Sequence, residues 1–408
     1  MLRWPRDRGP GRRSAALVGL VPAVLLVGSA VTLGGAREDE HAPAITTPSD
    51  DPIAIREIDR AASAREIDAP TDAAEAPSSK AEGASGEALE PPRAPEPRAE
   101  VASAPPEPRP DRPGETPALE HASALEPFFA ALERTQRGKG TTRVTHLGDS
   151  SIGMDALPHA LRTRFASELG DAGPGYVYLQ QESPSYRNRT VRLHAGPAWD
   201  LCVMIRRCHR DARYGLGGVS VESRGRARTL IVPQAGRDVS RAELWYLAQP
   251  SGGRLAFALG DGPEVVIDTR ADHAEGRWHV LESDEPGEHS VRVRALGHGP
   301  VRAFGVVLEN DEPGIVWDTL SVVGAFTHRV LAHDEAHFAR QLAHRDPDLV
   351  VLNYGGNDLR RMIFGNVDRD RLEDETHRVL ARVRSAVPDA GCLVMGISDH
   401  TRSGSVRV

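Results

Sequence analysis

The sequence predicts an α/β domain on a parallel sheet, interrupted by an all-β insertion and preceded by a disordered linker. Three observations carry this expectation. A short strand at Arg143–Leu147, an almost continuously apolar run at Leu349–Tyr354 and a further strand at Cys392–Ile397 alternate with helical periods, the order of a parallel sheet. From about Leu216 to Leu308 the helical period vanishes, and short alternating runs separated by turn residues replace it. Residues 37–118 are rich in Ala, Glu, Pro and Ser, with too few aromatic and branched apolar side chains to offset the entropy of ordering.

The N-terminus carries Arg3, Arg6, Arg8, Arg12 and Arg13, followed by an uncharged stretch from Ser14 to Ala36 with its apolar centre at Leu17–Leu26. A positive flank, an apolar run and small residues at Gly34 and Ala36 form an export signal. The expected location is periplasmic or at the cell surface. Residues 14–36 are long enough to span a bilayer, so retention as a membrane anchor and cleavage after Ala36 both stay open. The Arg12-Arg13 pair is too weak a signal for twin-arginine export. Residues 37–118 then form an extended tether. The 408 residues carry a formal net charge of −8 with no basic patch in the folded part, so nucleic acid is not an expected partner.

The folded part divides into 119–215, an inserted β-domain at 216–312, and 313–408. Leu119, Leu125, Phe128, Phe129 and Leu132 predict a first helix. Arg143–Leu147 predicts a strand, Gly148-Asp149-Ser150 a tight turn, and Leu157, Leu161, Phe165 and Leu169 one face of the next helix. Strand, turn and helix in that order open a parallel sheet. In the insertion, Ala242, Leu244, Tyr246 and Ala248 alternate, as do Leu255, Phe257 and Leu259, with Asp261-Gly262 and Pro286-Gly287 as turns. Such spacing reads as a β-sandwich or jelly roll. Afterwards Phe338 and Leu342 share a helix, Leu349–Tyr354 is a strand buried on both faces, and Leu372, Val379, Leu380 and Val383 mark a helix ended by Pro388.

Three loops follow predicted parallel strands, where sites form in open α/β sheets. They are Gly148-Asp149-Ser150-Ser151, Val323-Gly324-Ala325 after Trp317–Val322, and Gly355-Gly356-Asn357-Asp358 after Leu349–Tyr354. Gly-Asp-Ser after the first strand, an isolated Gly after the second and Gly-x-Asn-Asp after the third resemble the first three blocks of the SGNH/GDSL hydrolases, over roughly residues 140–408. The resemblance implies a flavodoxin-like parallel-sheet hydrolase fold. An insertion between the first two blocks is similar to the arrangement in the family's peptidoglycan O-acetylesterases, which carry a carbohydrate-binding-like module there. The stretches Gly170–Tyr176 and Tyr214–Ser220 are similar to that subgroup too.

The resemblance implies catalytic roles for Ser150, Gly324 and Asn357. Ser150 would attack an ester carbonyl and form an acyl-enzyme. The Ser150 and Gly324 N–H groups and the Asn357 amide would stabilise the oxyanion. Asp149 and Asp358 would brace their loops. The bland alternatives are a helix N-cap for Ser150 and a turn residue for Asn357, and Gly217 or Gly218 could take the place of Gly324. The implied substrate is an acylated cell-wall polysaccharide, peptidoglycan or another glycan. Acetyl transfer to sugar, lipase activity, and wall binding by an inactive core remain the alternatives. No cofactor is implied.

The family's closing Asp-x-x-His does not follow the last predicted strand; Ser398-Asp399-His400 stands there instead, with Asp and His adjacent. Adjacent side chains do not readily form the base–orienter hydrogen bond of a triad. The expectation is a shortened chain whose catalytic base lies beyond Val408. Asp334 with His337, and Asp374 with His377, repeat the spacing but fall on predicted helices, where solvated pairs are expected. His328, His333, His337 and His344 are likewise expected on a solvated helix face without a third metal ligand, and His146 is expected buried in its strand. Cys202 and Cys208 are spaced to pair across a short loop, and Cys392 reads as a small buried apolar residue. No cysteine spacing suggests zinc.

Overall fold

The structure, a computed structural model, describes residues 119–285 and 287–396. The export segment, the linker and Ser398-Asp399-His400 lie outside the described residues. Among the described residues no helix is long and apolar enough to cross a membrane.

Four strands, largely buried whether their residues are apolar or polar, form the centre of the first layer. These are β1 (Thr141–Gly148), β2 (Gly314–Ser321), β3 (Leu349–Asn353) and β4 (Gly391–Val394). They pair in parallel in the order β2-β1-β3-β4. Six helices accompany them: α1 (Glu126–Gln136), α2 (Ser150–Gly153), α3 (Ala156–Leu169), α4 (Glu335–Arg345), α5 (Gly356–Ile363) and α6 (Arg369–Ala386). Successive strand side chains point to opposite faces, so the sheet feeds two cores. Val144, Leu349 and Val351 join Phe128 and Leu132 of α1 and Phe165 and Leu169 of α3. Leu147, Val350 and Leu352 join Phe338 and Leu342 of α4 and Val379 and Val383 of α6. Each such side chain stabilises by about 1.5–3 kcal/mol when fully buried. Asp334 and Asp368 start α4 and α6 by accepting the N–H groups of His337 and Arg371, both at 2.8 Å.

The remaining strands form two antiparallel sheets. One has six strands, with Arg241–Ala248 and Val301–Glu309 at its centre; the other has five, ordered around Val291–Gly297. A second apolar cluster draws on both, including Leu244, Tyr246, Val306 and Leu308 from the first and Leu255, Phe257 and Val293 from the second. Antiparallel pairing begins at Gly175–Val177, Val191–Ala195 and Asp200–Val203, ahead of Leu216. These strands are three to five residues long, too short to set up a readable alternation. The other face of the six-stranded sheet, through Tyr176, Trp245, Leu247 and Phe304, shares a core with α4 and α6.

A buried ion network crosses between these layers. Arg345 at the end of α4 donates to Asp318 of β2 at 2.7 and 3.0 Å, and to Glu309 at 2.7 Å. Arg143 of β1 grips the same Glu309 at 3.0 and 2.8 Å. Asp318 also accepts the Tyr176 N–H at 2.8 Å. Burial alone would raise the Glu309 carboxyl, but Arg345 and Arg143 hold it down at about 2.

Two expectations need correction. His333 and His337 are buried rather than solvated, 5% and 4% exposed. His337 faces Phe304 and Gly276 of the six-stranded sheet and its Nε2 donates to the Tyr214 carbonyl at 2.9 Å, while His333, just ahead of α4, packs between the rings of Tyr214 and Phe338. Cys392 is only half-buried, because β4 is the edge of the sheet and Val394 beside it is exposed. His146 is fully buried, and Asp374 and His377 are exposed, as their positions imply.

Candidate active site

Strand register brings the three sequence-defined loops together. Gly148 pairs with Ser321 on one side and with Asn353 on the other, so β1, β2 and β3 end level. In the order β2-β1-β3-β4 the chain passes from β1 to β2 on one side and then crosses to β3 on the other side of β1. The crevice beyond the carboxyl ends of β1 and β3 is the place where such sheets bind ligands. Gly148 is required by close approach: a Cβ there would lie 2.8 Å from the Asn353 carbonyl oxygen and 2.8 Å from Ile152 Cδ1.

Asp149, not Ser150, caps α2. Its carboxylate accepts the Ser151 N–H at 2.9 Å, and Ser321 Oγ donates to its carbonyl at 3.0 Å. Burial raises the Asp149 carboxyl, while its hydrogen bond with Ser151 lowers it. Ser150 is therefore released from capping and stands exposed at the first helical position. There its own N–H has no intrahelical acceptor.

Gly324 follows β2 at φ +83°, a left-handed backbone that a side chain would strain. The preceding peptide is fixed, because Val323 N–H donates to Glu182 Oε1 at 3.1 Å. Glu182 is 5% exposed, and burial pushes its carboxyl up to about 7 against the Val323 hydrogen bond and Arg206. Gly217 and Gly218 are engaged elsewhere in the fold. The Gly217 carbonyl accepts from the Tyr178 hydroxyl at 3.3 Å, and the Gly218 N–H is spent on the Gly215 carbonyl at 2.7 Å.

Asn357 bridges the other two loops. Its amide donates to the Ala325 carbonyl at 2.9 Å and approaches the Asp149 carboxylate at 3.4 Å. Ala325 follows Gly324 and Asp149 precedes Ser150, so all three candidate residues share one strand-end cluster. The shorter bond anchors the side chain; the long contact to Asp149 leaves a weakly held N–H that a substrate oxyanion can take. Asp358 is fully buried and accepts the Thr327 N–H at 2.8 Å and hydroxyl at 2.7 Å, which ties α5 to the segment after β2.

His328, Asp358 and Glu375 bring ligand atoms within 4.8 Å of one another. Arg361 fills the centre of that cluster, 3.1 Å from Asp358, 2.8 Å from Glu375 and 3.0 Å from His328 Nδ1. A guanidinium already supplies the positive charge a metal would bring, and its hydrogen bond to Nδ1 occupies the ring's lone pair. The group is an ion-pair brace on α5 and α6. Among the described residues no histidine is hydrogen-bonded to Ser150, and Asp399 and His400 lie outside them. Sequence reading missed Glu182, Ser321 and Arg361, since each lies where no motif or period marks its partner.

The disulfide Cys202–Cys208 closes a short loop, its Cα atoms 6.0 Å apart, against the same site. A Cβ on Gly324 would sit 3.9 Å from Ile205 Cδ1 of that loop.

The chain was compared with known proteins. No family model matches it. No curated protein matches it. Among solved structures, a peptidoglycan O-acetylesterase aligns at 22% identity with a TM-score of 0.53, over 66% of this chain and 72% of that one. A family two carbohydrate esterase from Cellvibrio japonicus aligns at 15% identity and a TM-score of 0.19, over 50% and 78% of the two chains. A carbohydrate-binding module, TmCBM61 in complex with β-1,4-galactotriose, aligns at 12% identity and a TM-score of 0.22, over 30% and 88%. The first likeness shows that the chain shares the fold of that α/β esterase.

Proposed function

We propose that this chain is an exported serine esterase that removes O-acetyl groups from cell-wall glycan, peptidoglycan or a similar polymer. The observation that carries the reading is the convergence of an uncapped, exposed Ser150 with Gly324 and Asn357 at level ends of β1, β2 and β3. A fold shared with a peptidoglycan O-acetylesterase supports the choice of substrate.

In this reading Ser150 Oγ bonds to the ester carbonyl carbon and loses its proton to a base, and the carbonyl π pair moves to oxygen. The N–H groups of Ser150 and Gly324 and the Asn357 amide hold that oxyanion. Collapse expels the sugar alkoxide, which takes up a proton. Water then adds to the acyl-enzyme, releasing acetate and restoring Ser150. The export segment delivers the enzyme and the linker gives it reach, with residues 14–36 either anchoring it in the membrane or cut away. The antiparallel layers act as an inserted sandwich that holds glycan near the site.

Ser150→Ala should abolish acetate release from a chromogenic acetyl ester and from O-acetylated wall glycan, with the melting temperature kept. Retained turnover by a folded variant would remove the assignment.

A further inference from the structure

We propose that the disulfide-closed turn 202–208 and Arg329 form an anion subsite beside Ser150 and Gly324, taking a carboxylate carried by the acylated sugar. The inference rests on the esterase reading and narrows its substrate class to acidic glycans.

Geometry places the subsite. Ile205 Cδ1 of the turn lies on the side of Gly324 where a Cβ would point, 3.9 Å from that position. The 3-10 turn Met204–Arg206 packs on the 3-10 turn Thr327–Ala332 that follows Gly324. Arg206, Arg207 and Arg329 therefore lie together next to the candidate oxyanion site. Arg206 and Arg207 are exposed, and the cystine holds their short loop closed. Arg207 is kept at φ +49°, a left-handed conformation disfavoured by a side chain with a Cβ.

Arg143, Arg162, Arg302, Arg345 and Arg361 are each paired with carboxylates. Among the described residues, Arg206, Arg207 and Arg329 have no such partner. Arg329 is half-buried, its guanidinium 5.9 Å from the centre of the Phe326 ring, and its Nε is buried without a hydrogen-bond acceptor. Burial lowers its pKa, and Arg207 and Arg361 lower it further. Glu182, which Arg206 influences, is already engaged by the Val323 N–H. Among the described residues no carboxylate ion-pairs directly with these three guanidiniums, in a chain of net charge −8, and Glu375 acts on Arg329 only without a direct contact. Guanidinium forks match carboxylates two bonds at a time, so an acidic sugar would supply the missing acceptors. A neutral acetylated glycan would leave them unused.

The test is binding of N-acetylmuramic acid and N-acetylglucosamine, which differ by a carboxylate-bearing lactyl group, to the full chain by NMR titration at low salt. The acidic sugar should bind about tenfold more tightly, and added salt should erode that preference. Arg207→Gln and Arg329→Gln should each remove most of the preference. Arg207 is exposed, so its variant keeps the test meaningful if Arg329→Gln fails to fold. Equal affinity for the two sugars, no detectable binding of the acidic one, or an unchanged preference in Arg207→Gln would each overturn the proposal. Arg207-dependent binding of inorganic phosphate without preference for the acidic sugar would also overturn the carboxylate assignment. Ester hydrolysis surviving Ser150→Ala, with the Arg207-dependent preference intact, would sink the esterase reading while leaving the subsite standing.

Discussion

At the scale of single residues, Asn357 carries two duties that can be separated. As an oxyanion donor it acts only once charge develops, so Asn357→Ala should lower kcat about a hundredfold while KM changes little. As a brace between Asp149 and Ala325 it contributes stability, and the same variant should lose about 1 kcal/mol by urea unfolding. An unchanged kcat with only the stability loss would leave Asn357 as a structural residue. Glu182 makes a different prediction. Its carboxyl stands at about 7 in the fold against an ordinary value of 4.5. A raised folded value means the native state holds the proton longer. The contribution is therefore complete below about pH 4.5 and is lost as pH rises to about 7, a change of at most about 3 kcal/mol. Glu182→Gln, which still accepts the Val323 N–H, should flatten that part of the pH–stability curve. The wild-type-minus-variant difference from chemical denaturation checks it; a flat difference across this range would refute a titrating Glu182. The loops carrying Ser150, Gly324 and Asn357 were legible as strand-end turns, which favour Gly, Asp and Asn, while the roles proposed for these residues come from the resemblance to SGNH/GDSL hydrolases. Glu182 was not, because its partner is a backbone N–H 141 positions away.

At the scale of elements, α4 shows where periodicity stops being informative. Phe338 and Leu342 predicted the helix and its inner face, and both are buried. His337 on its other side and His333 just ahead of it are buried by partners that no local period marks, Phe304 and Gly276 of the six-stranded sheet for His337 and the rings of Tyr214 and Phe338 for His333. Burial lowers His333 to about 3 and His337 to about 4 from the ordinary 6.5. A histidine lowered in this way favours the fold above about 6.5 and loses that contribution as pH falls toward 3–4, because the unfolded chain takes up the proton first. Each group should add a slope of about 1.4 kcal/mol per pH unit within its window. Between pH 6.5 and 5, His337→Gln should therefore lose about 2 kcal/mol less than the wild type, its amide replacing the bond to the Tyr214 carbonyl. Urea unfolding at the two pH values measures this, and parallel losses would show that His337 does not drive acid lability.

At the scale of the whole molecule, the sequence distinguished a parallel layer from an all-β stretch, since period 3.6 and period 2 are separable signals. It did not show how the layers join, because both the ion network and the shared apolar core there link residues far apart in sequence. Asp318 on β2, Arg345 on α4, Glu309 on an antiparallel strand and Arg143 on β1 meet inside the protein. A buried network of this kind is weak evidence of net stabilisation, since desolvation offsets much of the attraction. Removing one member is another matter, because the partners remain as uncompensated buried charges. Arg345→Met should cost about 3–5 kcal/mol, well beyond a surface salt bridge, and salt should rescue little of it. Because the network spans both layers, the wild type should unfold in one transition whether followed by the tryptophans of the antiparallel sheet or by far-ultraviolet circular dichroism. If the layers are held together mainly by these charges, Arg345→Met should separate the two transitions. If the shared apolar core through Trp245, Phe304, Phe338 and Leu342 dominates, they should stay coincident. The area argument favours coincidence, since several fully buried side chains at about 1.5–3 kcal/mol each outweigh one ion network. The expected outcome is a destabilised but still single transition, and two resolved transitions in Arg345→Met would assign the joint to the charges.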